Sequence, residues 1–315
     1  MEKLIVSASP HIRTKDTTQS IMRDVLIALA PATVSSVVLF GLRALWIILV
    51  CVCTAVVSEL LFNVICKKQQ TVADLSAVVT GLILALSLPA KTELWQCAIG
   101  ALFAIIVVKC LFGGIGCNFA NPAVTARVFL LIAFATSVGG GSLTVFQESM
   151  DLVASATPLE ALKNGVAQPE RIWSMLIGNR AGAIGESSIL CLALGGIYLI
   201  ARRIIYWEQP AIYIGGVYLL SLLITRDPVT ALYHVLGGGL VFAAFFMITD
   251  YVTTPINKLG KMMFALGCAL ITILIRFWGS YPEGVSFAIV LMNIVSPYLE
   301  RWCAKKPFGK AGKKA

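Results

Sequence analysis

Charge is what this sequence has least of. Asp, Glu, Lys and Arg together make up 13% of its 315 residues, while hydrophobic residues make up 58%. A soluble domain carries roughly 25% charged residues, so an ordinary water-soluble globule is excluded. Histidine is almost missing: His11 and His234 are too few and too far apart in sequence to ligate haem. Nine cysteines are present, but they are scattered and fall mostly inside apolar runs, with no Cys-x-x-Cys. That spacing argues against zinc and iron–sulfur ligation and reads as buried free thiols. The net charge of +9 sits in short turns and a C-terminal tail rather than on an aromatic-laced face, which argues against nucleic acid as a partner. A cleavable signal peptide is not expected either. Met1 to Ser20 is polar, and the first apolar run leads into further spans.

What the chain does have is hydrophobic runs of roughly 17 to 25 residues, each long enough to cross an apolar layer of about 30 Å as a helix. They predict an all-α polytopic membrane protein embedded in a lipid bilayer. After a polar lead at 1–23, spans are predicted at 24–40, 44–66, 72–89, 94–112 and 122–137, then at 183–201, 209–225, 230–249, 260–278 and 284–299. The organisation is therefore a first five-helix unit (24–137), a long polar loop (138–172), a second five-helix unit (173–300) and a basic tail (301–315). If the N-terminus is cytoplasmic, the inside segments hold 18 of the 25 Lys and Arg residues, Lys109 and Arg127 among them. By the positive-inside rule both termini face the cytoplasm and the loop lies outside it, after five crossings.

Five spans on each side of the loop suggest an internal repeat. Residues 99–112 lie over 266–279 without a gap, and Asp74 to Gly81 recurs more loosely from Asp227 towards Gly237-Gly238-Gly239. An odd number of crossings per unit would make the two repeats inverted, with binding sites expected at their interface near the bilayer midplane. Apolar helices also resemble one another by composition alone.

Three stretches carry candidate chemistry. Gly113-Gly114-Ile115-Gly116-Cys117-Asn118-Phe119-Ala120-Asn121-Pro122 separates the fourth and fifth spans, and such backbone is tolerated at membrane depth only under cover of protein or a cavity. A helix starting there would present N–H groups to a polar ligand, or the stretch is a tight re-entrant turn. Gly178, Gly182 and Gly185 have the spacing that lets helices approach closely, and Glu186 heads a span where a carboxylate is costly unless paired or hydrated. Glu59, in mid-span, raises the same question. Thr249-Asp250-Tyr251-Val252-Thr253-Thr254-Pro255 ends the eighth span with hydroxyls and one carboxylate, suited to a flavin ring, a cation or a helix cap.

The loop itself contains Asp151-Leu152-Val153-Ala154-Ser155-Ala156-Thr157-Pro158. A threonine after two small residues, with an aspartate six positions upstream, gives an exposed hydroxyl that a bulky phosphate donor could approach. The same residues also make an ordinary turn. Asp151, Ser155, Ala156 and Thr157 match the flavinylation motif of the Nqr and Rnf redox pumps, Asp-x-x-(Ser/Thr)-(Gly/Ser)-Ala-Thr, and Pro158-Leu159 continue the match. The motif positions at Leu152 and Ala154 depart from the usual small and hydroxylated residues. The Gly113–Pro122, Thr249–Pro255 and Ser280–Ala288 runs extend the likeness over both halves, so the chain resembles the NqrB/RnfD family of membrane subunits, on the Rnf side by its short lead.

That resemblance implies a urea-transporter-like fold of ten spans in a bacterial inner membrane. It implies a subunit of the Rnf ferredoxin:NAD oxidoreductase, coupling electron flow to Na+ or H+ translocation. It also implies FMN esterified to Thr157, within a motif formed by Asp151, Ser155 and Ala156, and a non-covalent riboflavin-type flavin near Asn118, Asn121, Thr253 and Thr254. The implied partners are the other subunits of the complex, with an extracytoplasmic flavinylated subunit and iron–sulfur subunits among them, and a flavin transferase for maturation. No acid–base catalyst is implied, since Thr157 is a tether. Glu186 and Asp250 are candidates for the ion path. A flavin-free secondary transporter or small-solute channel of the same fold, and a scaffold subunit, are the competing readings.

Overall fold

The computed structural model describes residues 17–144, 157–165, 172–186, 188–279, 281 and 283–304. Among these the secondary structure is helical, apart from one isolated antiparallel bridge between Ser142 and Gly182. The chain opens with α1 (Thr18–Ile65), whose 48 residues would run about 72 Å if straight, far more than a bilayer needs. Gly41 divides it, with φ 67° and ψ −159°, a left-handed setting that a side chain would resist. The break falls where the sequence separates its first two spans.

The remaining helices are α2 (Ser76–Ser87), α3 (Leu94–Leu102), α4 (Pro122–Ala133), α5 (Ala135–Val138), α6 (Pro158–Lys163), α7 (Ile172–Ile177), α8 (Ile189–Ala201), α9 (Glu208–Thr225), α10 (Pro228–Leu236), α11 (Leu240–Phe246), α12 (Lys258–Trp278) and α13 (Val285–Trp302). A π-helix over Phe103–Cys110 continues α3, and 3-10 turns cover Val72–Asp74 and Ile184–Glu186. Helix thus occupies every segment predicted to span. By length and composition, however, two helices among the described residues reach a full crossing, Thr18–Ile65 and Lys258–Trp278, or three if α10 and α11, bent by 57°, count as one. The short ones are cut by the Gly- and Pro-rich breaks: α2 and α4 have 12 residues each, about 18 Å of rise.

The outer surface carries large apolar side chains in the open, Leu42, Trp46, Ile65, Leu194, Leu223 and Trp278 among them. Such a surface suits lipid rather than water. Inside, α1 packs on α2, α3 and α8, α9 on α12, and α12 on α13, while α4 lies against α2, α13 and the π-helix, where Phe103 and Phe129 stack at 4.3 Å.

Two expectations change here. Gly178, Gly182 and Gly185 do not form a helix–helix face: their segment is irregular, Gly182 pairs with Ser142, and a Cβ on Gly185 would strike Leu86 at 2.5 Å. The segment is laced to the first half of the chain, since the Ile184 N–H donates to the Leu88 carbonyl at 2.9 Å and the Ser36 hydroxyl to the Ile184 carbonyl at 3.0 Å. Secondly, Lys109 and Arg127 are not loop cations. They are 2% and 8% exposed, as Arg180 and Arg276 are 2% and 4%. Each is held in an apolar stretch by a buried anion or by free carbonyls, so charge counting misplaces them. Removing those four leaves 16 cations in the predicted inside segments and 5 outside, and the asymmetry stands.

Candidate functional site

Thr157 is the first described residue after 145–156, so Asp151, Ser155 and Ala156 lie outside the described residues. Thr157 caps α6: its Oγ1 accepts the Glu160 N–H at 3.2 Å, and the Glu160 carboxylate accepts the Thr157 N–H in return. Pro at the next position, with its fixed φ, starts the helix. The expected exposed hydroxyl is therefore corrected: the residue is 4% exposed, because capping turns it into the protein. What it does border is a cavity of about 480 Å³, shared with Lys91, Arg127, Leu131, Gly140, Tyr281 and Glu283. Close packing holds the threonine in place, for a Cβ on Gly141 would lie 2.8 Å from Thr157 Cγ2 and 2.8 Å from the Gly182 nitrogen.

The floor of this outer cavity is charged. Arg127 donates to Glu186 at 3.0 Å and to Glu283 at 2.5 Å, tying α4 to the segment before α8 and to the one before α13. Glu186 is 1% exposed, and its second oxygen has no partner. Around it, the carbonyls freed by the break between α10 and α11 are met by cations: Arg180 donates to the Leu236 carbonyl, and Arg276 to those of His234 and Gly237. Glu186 is thus paired, as the cost of a buried carboxylate demands.

A second, inner cavity of about 110 Å³ lies at the other end of α4. Asn118, Asn121 and Asp250 line it, with Lys109, Ser76 and Phe245. Asn121 Oδ1 caps α4 by accepting the N–H groups of Ala123 and Val124, while its Nδ2 donates to Asp250 at 3.2 Å. Those N–H groups are therefore spent on the cap rather than presented to a ligand. Asn118 Oδ1, by contrast, is buried without a partner, and Asn118 is one of the residues that line the cavity. Thr253 and Thr254 stand behind Asp250: Thr253 donates to its carboxylate at 3.0 Å and Thr254 to its backbone carbonyl at 2.6 Å. Neither is among the residues lining the cavity.

Lys109 belongs to the wall of this cavity, and its ammonium donates to both Glu59 oxygens, at 2.8 and 2.9 Å, and to Ser76 at 2.7 Å. Thr71 adds a 2.6 Å hydrogen bond to Glu59. The pair is 3% and 1% exposed at the side chains. It answers the question raised by a mid-span Glu59. The π-helix carries this lysine, and such local widening often marks functional positions. Sequence reading missed Lys91, Tyr281 and Glu283 as cavity residues, and treated Lys109 and Arg127 as topological charges. An ionisable residue inside an apolar run was the signal available for the last two. No group of three or more His, Cys, Asp or Glu suited to a metal occurs among the described residues.

The geometry therefore offers two cavities joined by α4: one with a hydroxyl acceptor and cations, one with a single unsatisfied amide acceptor, Asn118 Oδ1. Comparison with known proteins gives these a context. A family model described as the NQR2, RnfD, RnfE family matches residues 5–309. The chain is similar to the D subunit of the Na(+)-translocating ferredoxin:NAD(+) oxidoreductase complex of Acetobacterium woodii, 43% identical over 310 residues, covering 97% of this chain and 95% of that protein. It is similar also to the D subunit of the proton-translocating ferredoxin:NAD(+) oxidoreductase complex of Clostridium ljungdahlii, 38% identical over 320 residues, with 96% of each chain covered. The D subunit of an ion-translocating oxidoreductase complex from Halorhodospira halophila is 37% identical over 342 residues, covering 96% of this chain and 95% of its own.

Proposed function

Because the chain belongs to the NQR2, RnfD, RnfE family, we propose that it is the membrane subunit of an ion-translocating ferredoxin:NAD oxidoreductase that holds FMN as a phosphoester on Thr157 and a second flavin in the inner cavity. The observation that carries the flavin reading is the 480 Å³ cavity beside Thr157. It lies within the roughly 300 to 1,000 Å³ usual for ligand sites. The threonine oxygen there accepts one N–H and keeps its own hydrogen uncommitted among the hydrogen bonds described. For the second flavin, the support is the chemistry of the inner cavity's lining, Asn118, Asn121 and Asp250 beside Phe245; its 110 Å³ is below that range, so a ring system there requires the walls to part. A flavin bound in these places would accept and release one or two electrons.

The chain's own residues then have definite work. Thr157 tethers, Gly141 and the α6 cap fix the tether, and Asn118 and Asn121 offer an acceptor and a donor to a heteroaromatic edge. The ten-crossing inverted repeat, with both termini in the cytoplasm and Thr157 outside, belongs to the same proposal. It is supported by the remaining 16 to 5 cation asymmetry and by the burial of both Lys109 and Arg276, which the gapless repeat aligns. Glu186 and Asp250 are proposed for the ion path. Relatives named for sodium and for protons match nearly the whole chain, so the shared architecture does not by itself select the ion. The further proposed partners are the flavinylated and iron–sulfur subunits of the complex and the flavin transferase. The test is a denaturing gel of the chain made beside a flavin transferase, viewed under ultraviolet light. A fluorescent band absent from Thr157→Val supports the reading, and a colourless wild-type protein overturns it in favour of a flavin-free transporter or channel.

A further inference from the structure

A flavin joined through its phosphate to Thr157 still has to place its ring system somewhere. We infer that it folds back into the outer cavity of its own subunit, with the ring against Tyr281 and the phosphodiester beside Lys91. This rests on the reading of Thr157 as the attachment point and says where the attached group sits.

Charge selects Lys91. A phosphodiester keeps one negative charge and needs a cation that is not already neutralised. Arg127, the other cation of the cavity wall, is committed to Glu186 and Glu283. Lys91 has no carboxylate within ion-pair distance among the described residues, although it lines the same cavity as Thr157. Its backbone is fixed, because the Lys91 N–H donates to Ser142 Oγ at 2.9 Å. Ser142 in turn is bridged to Gly182, and the Gly182 nitrogen and the Thr157 methyl both flank Gly141. The lysine is thus held in the backbone that packs around Gly141, next to the threonine.

Shape selects Tyr281. An isoalloxazine is a flat, largely apolar ring, and it buries best between an aromatic face and aliphatic side chains. Tyr281 lines the cavity and is itself stacked on Phe287, with centroids 5.2 Å apart and planes 27° apart. A supported ring of this kind makes a fixed platform. Leu131, Ala135 and Val138 supply the aliphatic wall. Held this way, the ring would stay at a set distance from α4 rather than swing on a loose tether.

The full chain, made with a flavin transferase and purified, provides the test. Covalent loading is read from the intact mass, and the fluorescence of the attached flavin from the difference between wild type and Thr157→Val. Contact with a tyrosine ring quenches flavin fluorescence. Tyr281→Leu and Tyr281→Phe are both expected to keep their loading and brighten several-fold, because neither side chain can donate an electron to the excited flavin, while Tyr281→Trp, which can, stays dim. Lys91→Gln is expected to brighten at low ionic strength, and wild type to approach it as added salt screens the pair. Equal loading with unchanged fluorescence in both Tyr281→Leu and Lys91→Gln would overturn the docked position while leaving the attachment intact. A wild-type chain carrying no flavin would overturn both.

Discussion

Asn121 and Arg127 stand at and within one short helix, six residues and about 9 Å of rise apart, and each closes a different cavity. Asn121 caps the helix and reaches Asp250, while Arg127 joins Glu186 to Glu283. A helix of 12 residues thus separates the two places proposed for flavins. A full-length span would set the two cavities at opposite faces of the membrane. Here Pro122 and Ala123 line one cavity and Arg127 and Leu131 the other, so this helix bears on both.

The Lys109–Glu59 pair should behave as a buried ion pair. Lys109→Met leaves the Glu59 carboxylate without its cation, and the expected loss is about 3 to 5 kcal/mol of stability, with the double variant Lys109→Met/Glu59→Leu recovering part of it. Thermal unfolding in detergent checks this. Equal losses for single and double variants would show that packing, not charge, is what the pair contributes.

Gly141→Ala should act on the tether without unfolding the bundle. The new Cβ would sit 2.8 Å from Thr157 Cγ2 and 3.0 Å from the Ala181 carbonyl carbon. Backbone on one side cannot yield, so the threonine moves, at a cost of about 1 to 3 kcal/mol. The expected result is flavin loading well below wild type at an unchanged unfolding temperature or one lowered by a few degrees, read by intact mass and by melting. Full loading would mean that the position of the hydroxyl is not critical.

Glu186→Gln and Asp250→Asn should lower ion movement per electron more than they lower assembly. Both carboxylates sit in polar networks, Asp250 on the wall of the inner cavity and Glu186 behind Arg127 with one oxygen unpartnered. Keeping such groups in an apolar protein is expensive. Flux and electron transfer measured together in reconstituted vesicles decide it: an unchanged ratio in both variants refutes the assignment.

Much of this was legible in the residues and some was not, for physical reasons. Apolar run length located the helices, because burial in lipid is a local property of the sequence. Gly41, in φ-positive backbone, and Pro122, at the first turn of α4, mark breaks that a run-length reading already places. Crossing length was not legible, since the bend between α10 and α11 arises from carbonyls satisfied by Arg180 and Arg276, far away in sequence. The same holds for the sites. Asn121 and Asp250 were each singled out by their motifs, but their contact spans 129 positions. Thr157 was found by motif and misjudged in exposure, because the cap to Glu160 depends on the helix that follows. Lys91 carries no local signal, and Tyr281 stands out only as part of the Ser280–Ala288 run; both become cavity residues only when the two halves meet.

The central claim is that Thr157 carries a flavin through its phosphate. Mass spectrometry of the tryptic peptide containing Thr157, from chain made beside a flavin transferase, tests it most directly. The account predicts a peptide heavier by one phosphate-linked FMN, with fragment ions assigning the added mass to Thr157 and a Thr157→Val peptide at its bare mass. A wild-type peptide weighing no more than its amino acids would contradict it.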